Sequence, residues 1–158
     1  MRGIRLLKDF DFTNQRVLLR ADLNVPMSRG KISDTERIER LLPTIEFLRK
    51  RKAKIIILSH FGRPKGEFNL SMSLAPLVDQ LSYFIPDADV KFSVDCVGKA
   101  AEETVQNLQS GEIAILENLR FYKEEENNDN AFAEKLAALG DIYINDSFSC
   151  SHREHASI

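Results

Sequence analysis

Arg37, Arg63 and Arg120 carry planar guanidinium forks, a shape that matches the oxygens of a phosphate or a carboxylate. Two of them, with His60, Asp22 and Asn24, stand just past short aliphatic runs. Arg20-Ala21-Asp22-Leu23-Asn24-Val25-Pro26 follows Val17-Leu18-Leu19, and Ser59-His60-Phe61-Gly62-Arg63-Pro64-Lys65-Gly66 follows Ile55-Ile56-Ile57-Leu58. Glu117-Asn118-Leu119-Arg120-Phe121 follows Ile113-Ala114-Ile115-Leu116, and Asn145-Asp146 follows Ile142-Tyr143-Ile144. Three guanidiniums and a histidine in one place suit a small, multiply anionic ligand, and Arg153 would add a fourth guanidinium. A carboxylate repels an anion, so Asp22 and Asn24 suit the ligand's hydroxyls, Asp22 as acceptor and Asn24 as donor or acceptor.

Each residue also has an ordinary reading. Asp-x-Asn after a strand forms an Asx turn, a loop arginine is usually a solvated charge, and a single histidine is more often a satisfied polar group than a ligand. Lys123-Glu124-Glu125-Glu126 reads as a solvated run and is given no role. The coincidence of position outweighs these readings, because four strand ends carry such groups and the opposite ends do not.

The aliphatic runs, with Val90-Lys91-Phe92, predict five buried strands of a parallel sheet. Between the first two, Ile38, Leu41, Leu42, Ile45 and Leu48 repeat at helical spacing. Ser33-Asp34-Thr35-Glu36 resembles a capping box that starts this helix near Asp34 or Thr35 and puts Arg37 on its first turn. Pro43 falls inside the stripe, where it predicts a kink at a cost of about 3 kcal/mol relative to Ala. Leu74, Leu77, Val78 and Leu81 mark a second helix and Ala100 to Leu108 a third. Phe132, Leu136 and Leu139 mark a fourth, ending at Gly140 as a C′ glycine. Alternating strands and helices predict a three-layer α/β/α arrangement with a mostly parallel, Rossmann-like sheet, whose ligand site lies beyond the carboxyl ends of the strands.

The chain has 158 residues, 43% hydrophobic and 29% charged, enough apolar material for one core and one domain. A net charge of -2 gives no general attraction to nucleic acid or an anionic membrane, so any anion site must be local. Met1 to Phe10 lacks the unbroken apolar stretch of a signal peptide, and Ile55–Leu58 is too short to span a bilayer; both lead to an expected cytoplasmic location. Cys96 and Cys150 are expected to be reduced thiols, too few for a disulfide framework and without the spacing of a zinc site. No metal site is expected. None of the seven glycines belongs to a G-x-x-x-x-G-K-[ST] loop or a G-x-G-x-x-G fingerprint, so no nucleotide cradle is evident.

At the strand ends the sequence resembles the phosphoglycerate kinase family. Arg16-Val17-Leu18-Leu19-Arg20-Ala21-Asp22-Leu23-Asn24-Val25-Pro26 fits its signature of an aliphatic strand running into Arg-x-Asp-x-Asn-x-Pro. Ser59-His60-Phe61-Gly62-Arg63-Pro64 is similar to the family's Ser-His-Leu-Gly-Arg-Pro loop. Glu117-Asn118-Leu119-Arg120-Phe121 and Asn145-Asp146-x-Phe148 ahead of His152-Arg153-x-His155-Ala156-Ser157 are further blocks in the family's order. The resemblance implies that Asp22, Asn24, Arg37, His60, Phe61, Gly62, Arg63, Arg120 and Arg153 bind 3-phosphoglycerate or its acyl phosphate, 1,3-bisphosphoglycerate. It also implies that Arg37 is catalytic, facing the phosphoryl group in transfer to or from ADP.

The resemblance further implies a monomeric, ATP-using glycolytic enzyme of two lobes, the second holding magnesium with ATP or ADP. The chain stops at Ile158, before the first lobe would be finished, so residues 1–158 are expected to be an incomplete phosphoglycerate-binding domain, inactive alone. Where the family has Asp-Ala-Phe-Gly-Thr-Ala-His-Arg, this chain reads Asp146-Ser147-Phe148-Ser149-Cys150-Ser151-His152-Arg153, with serine at the glycine position. Two alternatives remain: a fragment that only binds phosphoglycerate, and a phosphohydrolase with Asp22 as nucleophile and Asn24 where a second acid usually stands.

Overall fold

A computed structural model describes residues 5–158, so Met1–Ile4 of the stretch read for a signal peptide lie outside the described residues. Strand β1 (Arg16–Ala21) leads into a small antiparallel hairpin, β2 (Met27–Ser28) and β3 (Lys31–Ile32), and then into helix α1 (Glu36–Lys50). Next come β4 (Lys54–Leu58), α2 (Leu77–Phe84), β5 (Val90–Ser93), α3 (Lys99–Gln106) and β6 (Ile113–Leu116). The chain ends with α4 (Lys123–Glu126), α5 (Asn130–Ala137) and β7 (Ile142–Asp146), followed by a 3-10 turn at Phe148–Cys150.

The five predicted strands form one parallel sheet in the order β5-β6-β4-β1-β7. Because side chains alternate across a sheet, Val17, Leu19, Ile55, Ile57, Ile113 and Ile115 pack with α1 and α2 on one face. Leu18, Ile56, Leu58, Ala114 and Leu116 pack with α3 and α5 on the other. Burial on both faces explains the unbroken aliphatic runs of β4 and β6. The edge strand β7 is only half-buried, and it takes in Asn145 and Asp146, which the sequence placed beyond it.

α1 continues through Pro43 to Lys50, while three local expectations need correction. Ile38, Leu41, Ile45 and Leu48 are buried beneath that helix at about 1.5–3 kcal/mol each, more together than the roughly 3 kcal/mol cost of the proline. The reciprocal capping box does not form. Instead the Asp34 carboxylate accepts the Glu36 N–H at 2.8 Å and the Thr35 hydroxyl donates to Glu39 at 3.0 Å.

Gly140 is no helix cap either, since α5 stops at Ala137 and Gly140 is absent from the positive-φ residues. It is needed for space: a Cβ there would meet Leu18 Cγ at 2.4 Å and the Arg16 carbonyl oxygen at 3.2 Å. Finally, Lys123–Glu126 is not simply a solvated run, because Glu125 is completely buried.

Candidate functional site

β1 continues to β4 on one side while β7 returns on its other side, and this reversal opens a crevice at the carboxyl ends of the strands. A cavity of about 360 Å³ lies there, lined by Asp22, Arg37, Arg40, Leu41, Asp146, Phe148 and Ser149. Asn24 after β1, His60 and Arg63 after β4, Arg120 after β6 and Arg153 in the C-terminal segment do not line it.

The Asp22 carboxylate organises the cavity. Its Oδ1 accepts the Asn24 N–H at 3.2 Å, the expected Asx turn, and also an Arg37 Nη1–H at 2.6 Å. Its Oδ2 accepts the Ser149 hydroxyl at 2.6 Å. Burial alone would raise the Asp22 pKa, but the hydrogen bonds from Ser149 and Asn24 and the charge of Arg37 outweigh it and hold the carboxyl below its ordinary value. Serine in place of the family's glycine thus contributes a hydroxyl that glycine could not. With both oxygens already engaged, Asp22 is poorly placed to act as a phosphohydrolase nucleophile, and Asn24 supplies no second acid.

Asn24 Oδ1 accepts the Gly62 N–H at 3.0 Å, leaving its NH₂ group free to donate. Gly62 has φ +62°, and its carbonyl accepts Arg120 Nη1–H at 3.1 Å. A β-carbon at Gly62 would be strained at that φ and would crowd Met72 Sδ at 3.1 Å. The same loop is tied down by Asn118, fully buried, which accepts from the Phe61 and Arg120 N–H groups and donates to the carbonyls of Phe61 and Met72 at 2.7–3.1 Å. Ser59 completes the junction by accepting the Leu23 N–H at 3.0 Å.

Arg120 is 4% exposed, yet its Nε and Nη2 find no hydrogen-bond partner among the described residues. The Glu126 carboxylate stands 3.8 Å from Nε, beyond hydrogen-bond range. Burial lowers the Arg120 pKa, Glu126 opposes the shift, and Arg153 adds to it. An enclosed guanidinium with unused donors is costly unless an anion supplies the acceptor.

His60 is buried, with Nδ1 3.0 Å from Arg20 Nη2. Arginine can only donate, so Nδ1 accepts and the neutral ring carries its proton on Nε2. Burial, then the charges of Arg20 and Arg120, push the His60 pKa down to about 3. The ring is therefore an uncharged N–H donor at neutral pH.

Arg63 and Arg153 are exposed, and neither side chain makes a hydrogen bond or ion pair among the described residues. The Arg153 charge is nonetheless close enough to help lower the pKa of both His60 and Arg120.

Sequence reasoning assigned no role to Arg20, Asn118, Glu125, Ser149 or Ser157. An arginine inside an aliphatic strand was the available signal for Arg20, since a buried guanidinium must find partners. The opposite strand ends are not empty either, because Arg16 and Asp141 pair there at 2.8 Å. Among the described residues no group of three His, Cys, Asp or Glu side chains is placed to hold a metal ion.

The chain is 53% identical over 156 residues to the phosphoglycerate kinase of Wolbachia pipientis wMel, an alignment covering 99% of this chain and 39% of that protein. It is 48% identical over 155 residues to the phosphoglycerate kinase of Borrelia hermsii, again covering 98% of this chain and 39% of that protein. The chain thus spans about 39% of the length of these curated relatives. Its fold matches phosphoglycerate kinase from Pyrococcus horikoshii OT3 with a TM-score of 0.86 and 37% identity, covering 96% of this chain and 38% of that one. The enzyme from Coxiella burnetii matches with a TM-score of 0.82, also at 37% identity, covering 96% and 37%. The family model described as phosphoglycerate kinase matches residues 7–158, which takes in every strand of the sheet and every arginine at its carboxyl edge, and the chain belongs to that family.

Proposed function

We propose that residues 1–158 form the 3-phosphoglycerate-binding part of a phosphoglycerate kinase, which reversibly transfers a phosphoryl group between 1,3-bisphosphoglycerate and ADP. The observation that carries this reading is Arg120, an enclosed guanidinium with unspent donors and with the Arg153 charge close enough to lower its pKa. A phosphate beside Gly62 would take its oxygens' hydrogen bonds from Arg120, with Arg63 and Arg153 closing over it from solvent. Neutral His60 would donate from Nε2. A neutral donor helps here, because a protonated ring would compete with Arg20 and Arg120 for the same space.

The ligand's hydroxyl fits between Asn24 and Asp22. Asn24 keeps its NH₂ group, and Asp22 Oδ2, having accepted only Ser149, retains a lone pair. Phe61 and Gly62 contribute backbone and shape, their positions fixed by Asn118 and Asn24. Arg37 is half-exposed at the mouth of the cavity and steadied by Asp22, so its charge can follow the phosphoryl group as negative charge moves toward it. Phosphoryl transfer offers a protein little covalent work, and rate comes from alignment and from neutralising charge. Magnesium with ATP or ADP supplies the phosphoryl donor or acceptor, and we place that site outside these residues, in the remaining length that the relatives possess. A monomeric, cytoplasmic enzyme agrees with this reading. No helix among the described residues is long and apolar enough to cross a membrane.

Calorimetric titration of the 158-residue chain with 3-phosphoglycerate, then with Mg-ATP, beside a coupled turnover assay, tests the proposal. Binding of 3-phosphoglycerate without Mg-ATP binding or turnover is expected. No detectable 3-phosphoglycerate binding at millimolar ligand would overturn the site, and ATP-dependent turnover by the pure chain would overturn the division of labour.

A further inference from the structure

Behind the site lies a buried polar chain that runs from Glu125 through Ser157 and Arg20 to His60, of which only His60 is a proposed ligand residue. Arg20, 1% exposed, uses all three guanidinium nitrogens: Nε donates to Ser157 Oγ at 2.9 Å, Nη1 to its neighbour Ala21's carbonyl, and Nη2 to His60 Nδ1 at 3.0 Å. Ser157 donates its hydroxyl proton to Glu125 Oε1 at 2.6 Å, and its backbone N–H reaches the same oxygen at 3.2 Å.

The direction of every bond is fixed. A carboxylate only accepts, so the single hydroxyl proton of Ser157 goes to Glu125 and its lone pairs face Arg20; arginine only donates, so His60 Nδ1 must accept. The backbone holds this arrangement in place. Ala156 N–H donates to the Glu125 carbonyl at 2.9 Å, and the Tyr143 hydroxyl donates to the Ser157 carbonyl at 2.6 Å.

We propose that Glu125 and Ser157 are positioning residues for His60, acting through Arg20 to hold the imidazole as the Nε2–H tautomer with that nitrogen turned to the ligand. The inference rests on the reading of His60 as a ligand donor given above. Ser157 alone fixes Arg20 Nε. Without it the guanidinium keeps only Ala21 and His60 and can tilt, and Nδ1 then loses the donor that makes it an acceptor. The C-terminal segment is thereby coupled to the ligand site without touching it.

Imidazole ¹⁵N NMR of the 158-residue chain reports the His60 tautomer with no ligand present. The parent chain should show Nδ1 unprotonated. Ser157→Ala should give a mixture of tautomers and weaken 3-phosphoglycerate binding roughly tenfold, about the worth of one hydrogen bond to a charged group. Ser157→Thr, which keeps the hydroxyl, should restore both. If Ser157→Ala does not fold, Ser157→Cys, which fills similar space with a weaker acceptor, serves the same comparison. A single unchanged Nε2–H tautomer and unchanged affinity in the folded Ala or Cys variant would overturn the proposal. A tautomer shift in a chain whose parent binds no 3-phosphoglycerate would support the positioning of His60 and overturn only the assigned ligand.

Discussion

His60 should make the folded chain unusually sensitive to mild acid. Its pKa falls from 6.5 to about 3 on folding, because the ring is buried beside Arg20 and Arg120. The unfolded chain therefore binds a proton that the folded chain refuses throughout that interval, and stability is lost as pH falls through it. From pH 7.5 to 4.5 the loss should approach about 2.7 kcal/mol, at about 1.36 kcal/mol for each unit of pH below the unfolded value. Asp22, Asp141 and Glu112 have lowered pKa values, so they add losses only nearer their ordinary values and below, and the window above pH 4.5 belongs mainly to histidine. The His155 pKa is also lowered by burial, but His155 is present in both proteins compared below and its contribution cancels.

His60→Gln is the informative partner, since its amide oxygen can still accept from Arg20 while the side chain cannot titrate. Urea unfolding of both proteins from pH 7.5 to 4.5 should show the parent losing about 2–3 kcal/mol more than the variant. Parallel stability curves would refute the buried, neutral histidine and, with it, the assignment of Nδ1 as acceptor.

Other substitutions probe the remaining parts. Arg37→Ala in the full-length kinase should lower kcat about a hundredfold or more while raising KM little, as expected for charge that matters most in the transition state. An equal loss in binding and turnover would make Arg37 a ground-state contact. Gly140→Ala should destabilise the chain by about 1–3 kcal/mol in chemical denaturation, because its Cβ would strike Leu18 and the Arg16 carbonyl. Asn118→Ala would leave the buried N–H of Phe61 and two carbonyls without partners, and should cost about 2–4 kcal/mol together with weaker 3-phosphoglycerate binding.

The sheet was legible because Ile55–Leu58 and Ile113–Leu116 are buried on both faces, which forces an unbroken aliphatic run. The position of Arg37 on the first turn of α1 was legible from the periodic stripe behind it. What escaped were long-range pairings with no local trace. Nothing in Lys-Glu-Glu-Glu tells Glu125 from its neighbours until Ser157 docks against it. Likewise, Gly140 looks like a helix stop in one dimension and becomes a matter of clearance only when β1 lies beside it. At Pro43 the burial of Ile38, Leu41, Ile45 and Leu48 exceeds the local backbone cost, so the helix continues through it.

The strand order also governs how the chain can acquire its structure during synthesis. β1, which carries Arg20 and leads into Asp22, has one neighbour, β4, available early, whereas the other, β7, follows every other strand of this sheet in sequence. Arg16 and Asp141, the ion pair at their shared edge, are 125 residues apart in sequence. Contacts of such high order form slowly, so a ribosome-bound chain must leave one side of β1 unpaired until β7 has emerged. The half of the crevice nearest β4 can form early; the Ser149 and Asp146 half must await β7 and the turn that follows it.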